Sequence, residues 1–191
     1  MIYQTLGQTS LSRLGMGNMR LPVQDDRRGA PIDYPRAQEI IDYAIASGIN
    51  YFDTAYTYHD GESELVVGEA LQGGYRRRVL LATKLPVWLV EKREDMDRLL
   101  EEQLRKLQTD YLDFYLLHAM NRKRLEMLKQ LEYPVFLEQA LASGKIRLPA
   151  FSFHDDVDAF RDIVDDYPWR MAQIQLNLLD GSYQAGLEGA R

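Results

Sequence analysis

The 191-residue sequence contains no cysteine, which excludes disulfide frameworks, thiolate nucleophiles, Cys-ligated zinc and iron–sulfur clusters within these residues. It has no apolar run approaching the roughly 18–20 residues of a membrane span, and Met1 to Arg13 is polar, without the apolar stretch of a signal peptide. A cytoplasmic location and no membrane partner are therefore expected. Positive charge is in short supply: 23 Lys and Arg stand against 29 Asp and Glu, a formal net charge of −6. Phosphate backbones need clustered cations, so no nucleic-acid partner is expected either. Gly/Ser-rich linkers and low-complexity tracts are also missing, and residues 1–191 read as one domain.

Short apolar runs alternate with amphipathic stretches. Asn50 to Thr54, Val79 to Lys84, Leu112 to His118, Arg147 to Ser152 and Ala172 to Asn177 read as buried strands. Pro35 to Ser47, Glu62 to Gln72, Arg93 to Gln108, Tyr133 to Ser143 and Val157 to Tyr167 read as helices. Asp33, Pro35 and Gly48 supply the cap, first-turn residue and left-handed stop of the first helix. A further strand is expected at Leu11 to Asn18, with Tyr3 to Thr9 pairing beside it as a hairpin that caps a barrel bottom. Gln24 to Ile32, with its Asp-Asp-Arg-Arg-Gly run, reads as a loop, and Arg76-Arg-Arg78 as a solvated turn before a strand. Continuous apolar strands separated by helices imply a parallel sheet, because each crossover helix covers a sheet face. The fold class is α/β.

Nearly every expected strand finishes in a polar residue: Asn18, Asp53, Lys84, His118, Ser152 and Asn177. In a parallel barrel those ends share the rim where catalysis occurs. Tyr58 follows Asp53 by five residues, on the loop above that strand end. A tyrosine with a reference pKa of about 10 donates a proton readily only where a cation favours its phenolate. Lys84 is the candidate cation, Asp53 can hold its ammonium, and His118 can orient a carbonyl oxygen. A polarised carbonyl needs a reductant, and without cysteine or a metal-ligand cluster a nicotinamide hydride is the simplest source. There is no G-x-G-x-x-G after a strand, so a Rossmann mode of binding is not expected. His59 and His154 fit ordinary loop histidines better than additional site residues.

The run Gly48-Ile-Asn-Tyr-Phe-Asp53-Thr-Ala-Tyr-Thr-Tyr58 resembles the signature of the aldo-keto reductase superfamily, and Glu62-Ser-Glu64, Gly68-Glu-Ala-Leu71 and Val79 to Lys84 extend the match. It continues through Asp110 to His118, Gly144-Lys-Ile-Arg147 and Gln173-Ile-Gln175, and so covers essentially the whole chain. The resemblance implies a (β/α)8 TIM barrel that reduces aldehydes and ketones with NADPH. It implies Tyr58 as general acid, completed by Asp53, Lys84 and His118. Cofactor contacts carried over by position are Gly17, Asn18, Met19, Ser152 and Gln173, and Trp88 is the substrate-pocket aromatic. Ser-Phe-His-Asp-Asp at 152 to 156 is similar to a bacterial and archaeal subgroup whose longer members carry a ferredoxin-like region.

Two departures bear on function. Ser152-Phe153-His154 stands where the family commonly has Ser-Asn. A (β/α)8 barrel typically needs about 250 residues, whereas this sequence accommodates only six of the eight βα units, without the loops that grip the cofactor's phosphates in the family. The expectation is a C-terminally truncated reductase whose open sheet edge invites self-association. The alternative is a non-catalytic, barrel-derived subunit or inactive fragment that associates with a partner chain.

Overall fold

The computed structural model describes residues 1–25, 27 and 29–190, so Asp26 and Arg28 of the expected 24–32 loop lie outside the described residues. Val23, just before that loop, and Ile32, at its end, form an isolated antiparallel bridge. Strands β1 (Tyr3–Leu6) and β2 (Thr9–Ser12) form an antiparallel hairpin. The main sheet contains β3 (Met16–Gly17), β4 (Tyr51–Asp53), β5 (Leu80–Leu85), β6 (Leu112–Met120), β7 (Ile146–Phe153) and β8 (Met171–Gln173), in that order. β3–β4, β4–β5 and β7–β8 pair in parallel. Parallel neighbours in sequence order, joined by helices, follow the winding rule of a β/α barrel.

The helices are α1 (Tyr34–Ala46), α2 (Ser63–Ala70), α3 (Arg93–Lys106), α4 (Arg122–Gln130), α5 (Tyr133–Ala142), α6 (Val157–Asp166) and the short α7 (Gly186–Gly189). α1 begins as its sequence predicts: the Asp33 carboxylate accepts from the Arg36 amide at 3.1 Å, and Pro35 occupies the first turn. It buries Ala37, Ile41, Ala44 and Ile45, one stripe at helical spacing. Gly48, at φ 87°, turns the chain out of the helix. No helix among the described residues is long and apolar enough to cross a membrane.

The structure corrects three assignments of secondary structure. Leu11 to Asn18 is not one strand: Leu11 and Ser12 belong to the hairpin, and only Met16 and Gly17 join the main sheet. The hairpin docks before β4, where Tyr3 donates to the Gly48 carbonyl at 2.8 Å and the Ser12 amide donates to the Asn50 side chain at 2.7 Å. The last strand stops at Gln173, short of Asn177, whose side-chain oxygen instead accepts from the Leu179 and Asp180 amides. Helix α4 has no counterpart in the sequence reading. Asn121 caps it through the Arg124 amide at 2.8 Å, and only Leu125 and Leu128 are buried, too narrow a stripe to stand out among Lys and Arg.

The chain divides into two compact units, Met1–Thr83 with Glu101–Asp113, and Lys84–Leu100 with Phe114–Arg191. In the first, Phe52 and Leu81 of the sheet and Ile41 and Val67 of the helices are fully buried. Arg76 is also largely buried, which corrects its reading as solvated. Its guanidinium pairs with Asp113 at 2.9 Å and donates to the Tyr111 carbonyl at 2.8 Å, while Asp113 also accepts from the Leu81 amide. Arg77 and Arg78 are exposed, as expected. In the second unit Trp169 stacks on Tyr133, meets Phe151 edge-on and donates its indole N–H to the Ile163 carbonyl.

Helix α2 approaches the end of α3 closely because residue 68 has no side chain. A Cβ there would lie 2.5 Å from the Lys106 carbonyl oxygen and 2.7 Å from backbone atoms of Leu107. Backbone cannot swing aside as a side-chain tip can. Gly68→Ala is therefore expected to destabilise the chain by about 1–3 kcal/mol, measured as a lower urea midpoint. An unchanged midpoint would refute the close packing of α2 on residues 106 and 107.

Candidate active site

In the first unit, Asp53 is the last residue of β4 and is nearly buried. Its carbonyl oxygen accepts from the backbone and side-chain amides of Asn18, at 2.8 and 2.9 Å. The Asn18 carbonyl in turn accepts from the Ser63 hydroxyl, 2.9 Å from the Thr54 hydroxyl. This chain of bonds fixes the backbone on both sides of the β4 terminus. Tyr58 opens a 3-10 turn, Tyr58–Gly61, and is half-buried. His59, the next residue, is at φ 50° and accepts the Leu21 amide at its Nε2, 2.9 Å away. The histidine read as an ordinary loop residue is therefore an anchor for the turn that carries Tyr58. Burial foremost, and then the neighbouring Asp53 and Tyr58 side chains, push the buried Tyr51 phenol above its ordinary range.

A second polar group lies behind β5. Glu64, fully buried on α2, accepts from the Thr83 hydroxyl at 2.7 Å and from the Gln103 amide at 2.6 Å. Burial raises its pKa, while those two bonds and Lys106 act in the opposite direction. Thr83 immediately precedes Lys84 in β5, so this network holds the strand at the peptide that leads into the lysine.

In the second unit, Lys84 is buried, 2% exposed, as lysines almost never are unless paired. The pKa of half-buried His118 falls to about 3, through burial first and then the positive charges of Lys84, His154 and Arg124. Its imidazole is neutral at physiological pH, able to donate one hydrogen bond without carrying charge. Trp88 occupies the turn Val87–Leu89 after β5, with its ring centroid 5.0 Å from that of His118. The Arg124 guanidinium lies over the Trp88 ring, 5.4 Å from its centroid.

The remaining expected residues fall at strand ends with different surroundings. Gly17 and Met19 are exposed beside the buried Asn18. Ser152 is buried and its hydroxyl accepts from the Ala119 amide at 2.7 Å, so it positions the residue after His118 and retains its own proton to donate. Gln173 ends β8, and its side-chain oxygen is buried with no hydrogen-bond partner. The Asn18 side-chain oxygen is in the same state. Unpaired buried acceptors suit a ligand with N–H donors, such as a carboxamide. His154 is exposed, with its Nδ1 3.1 Å from the Gln184 amide nitrogen. Thus Asp53 and Tyr58 share one neighbourhood around Tyr51, and Lys84, Trp88 and His118 share another. Arg124 escaped the sequence reading because it lies on α4; the one signal for that helix was Asn121 before two leucines at helical spacing.

Sequential parallel strands with their polar side chains at the C-terminal ends define a β/α-barrel-type protein. The family model for the aldo/keto reductase family matches residues 13–187. The chain belongs to that family. It is 35% identical over 144 residues to methylglyoxal reductase YeaE of Escherichia coli, covering 75% of this chain and 46% of the relative. Its structure is similar to that of an aldo-keto reductase from Bacillus halodurans, with TM-score 0.74, 27% identity, and coverage of 92% of this chain and 57% of the other. It is likewise similar to an aldo-keto reductase from Klebsiella pneumoniae solved in complex with NADPH, with TM-score 0.65, 31% identity, and coverage of 85% and 54%. The chain spans about half the length of these relatives.

The neutral His118 has a thermodynamic signature. Between the ordinary pKa of 6.5 and the folded value of about 3, the unfolded chain binds a proton at this position that the folded chain does not. Stability contributed by the neutral ring is present above pH 6.5 and is lost as pH falls toward 3. Urea unfolding at stepped pH is expected to show a loss of stability on acidification that is shallower in His118→Gln over this window. Parallel curves for the two proteins would refute the depressed pKa.

Proposed function

We propose that this chain reduces an aldehyde or ketone to the alcohol by hydride transfer from NADPH, with Tyr58 as the general acid. The observation that carries this reading is the buried Lys84 beside a His118 ring held neutral, in a chain of the aldo/keto reductase family. In this reading the neutral His118 donates a hydrogen bond to the substrate carbonyl oxygen, Tyr58 delivers a proton to that oxygen, and Lys84 stabilises the phenolate left behind. Asp53 offsets the ammonium charge. NADPH, when bound, supplies the hydride. The unpaired acceptors on Asn18 and Gln173 support a carboxamide at the strand ends, and the NADPH complex of the Klebsiella protein supports the choice of nicotinamide. A small 2-oxoaldehyde is the natural first substrate, since a similar protein is named a methylglyoxal reductase.

The test is NADPH consumption with methylglyoxal by wild type and Tyr58→Phe, with NADPH affinity measured separately by fluorescence. Loss of the proton donor is expected to lower kcat by about 10²–10⁴ and to leave NADPH binding nearly unchanged. Wild-type turnover by the phenylalanine variant would eliminate Tyr58 as the acid.

A further inference from the structure

Three described arginines are half-buried: Arg76, Arg93 and Arg124. Arg76 pairs with Asp113 and Arg93 with Asp97, each through a short ion pair. Arg124 has no carboxylate partner among the described residues. Its guanidinium donates to the Ala119 carbonyl and lies over Trp88. Burial without a counter-ion lowers its pKa, the sign of a charge that its surroundings do not compensate. Arginine carries five N–H donors in a planar fork suited to a carboxylate, and one backbone bond leaves most of that fork uncommitted.

Its location gives the uncommitted charge a purpose. Trp88 neighbours both His118 and Arg124 within one unit, with ring centroids 5.0 Å apart for the first pair and the guanidinium 5.4 Å from the Trp88 ring. Ala119, whose carbonyl holds Arg124, directly follows His118 and adopts a left-handed φ of 53°, which turns the chain at the end of β6. A substrate whose carbonyl meets His118 and whose body packs on Trp88 would have the guanidinium within reach. We propose that Arg124 is a specificity-determining residue that binds the carboxylate of an anionic carbonyl substrate, one whose charge lies about an aromatic ring's width from its carbonyl. This rests on the reductase reading for the placement of the carbonyl, and it names the substrate class.

The test titrates the 191-residue chain with 4-formylbenzoate and, in parallel, with its methyl ester, following tryptophan fluorescence or NMR shifts so that binding is read without turnover. A charge-assisted fork-to-carboxylate contact is expected to favour the acid over the ester by roughly ten- to a hundredfold. Arg124→Gln keeps a donor for the Ala119 carbonyl but removes the charge, and the acid-to-ester preference is expected to collapse toward one. Arg124→Lys is expected to keep part of it. Equal affinities in the wild type, a preference that survives Arg124→Gln, or no saturable binding of the acid would each overturn the proposal. NADPH consumption with the same two compounds separates the two readings. Arg124-dependent binding without any reduction would sink the reductase reading and leave this one standing; equal reduction of acid and ester would do the reverse.

Discussion

A parallel strand covered on both faces has room for charge only at its ends, and this constraint organises the polar chemistry of the chain. β5 and β6 are buried almost throughout. In β6, Asp113 near the start is tolerated because Arg76 and the Leu81 amide meet its carboxylate. The following residues, Phe114 to Leu117, are fully buried and apolar apart from the Tyr115 hydroxyl, and polarity returns only at His118. β5 has the same plan, apolar until Thr83 and Lys84. Polar groups at strand ends are thus forced into two sets. One set pairs internally and serves stability. The other comprises the residues proposed to meet a ligand.

Around that second set the backbone is tied down by small polar residues. Asn18 bonds the Asp53 carbonyl, Ser63 bonds Asn18, and Ser152 bonds the amide after His118. Glu64 and Gln103 hold Thr83, the residue before Lys84. Each tie acts on a peptide adjacent to a proposed catalytic side chain, and so limits the angles from which that side chain can project. A site that depends on sub-ångström placement of a proton donor needs such support. The cost is a buried carboxylate in Glu64, whose raised pKa records its desolvation.

Much of the fold was legible because it is written in local pattern. Alternating apolar runs and amphipathic stretches placed the main strands and five of the helices, and Asp33, Pro35 and Gly48 marked the ends of α1. The errors also have local causes. Leu11 to Asn18 reads as one further strand, yet Ser12 and Asn50 exchange hydrogen bonds that end one strand before Met16 begins the next. Ala172 to Asn177 reads as a strand, but the Asn177 side chain captures two following amides and turns the chain. α4 was invisible because a helix that buries only two leucines carries too little periodicity to register.

The sequence by itself determined the family and the parallel α/β architecture, and it singled out Asp53, Tyr58, Lys84 and His118 as the candidate site, because those depend on residue order and spacing along the chain. Tertiary structure decided the environments. It made Arg76 a buried ion-pair partner, made His59 an anchor for the Tyr58 turn, lowered the pKa of His118, and left Arg124 half-buried beside Trp88 with no carboxylate partner among the described residues. Charge state and hydrogen-bond partnership depend on which distant groups share a low-dielectric neighbourhood, and no spacing along the chain encodes that.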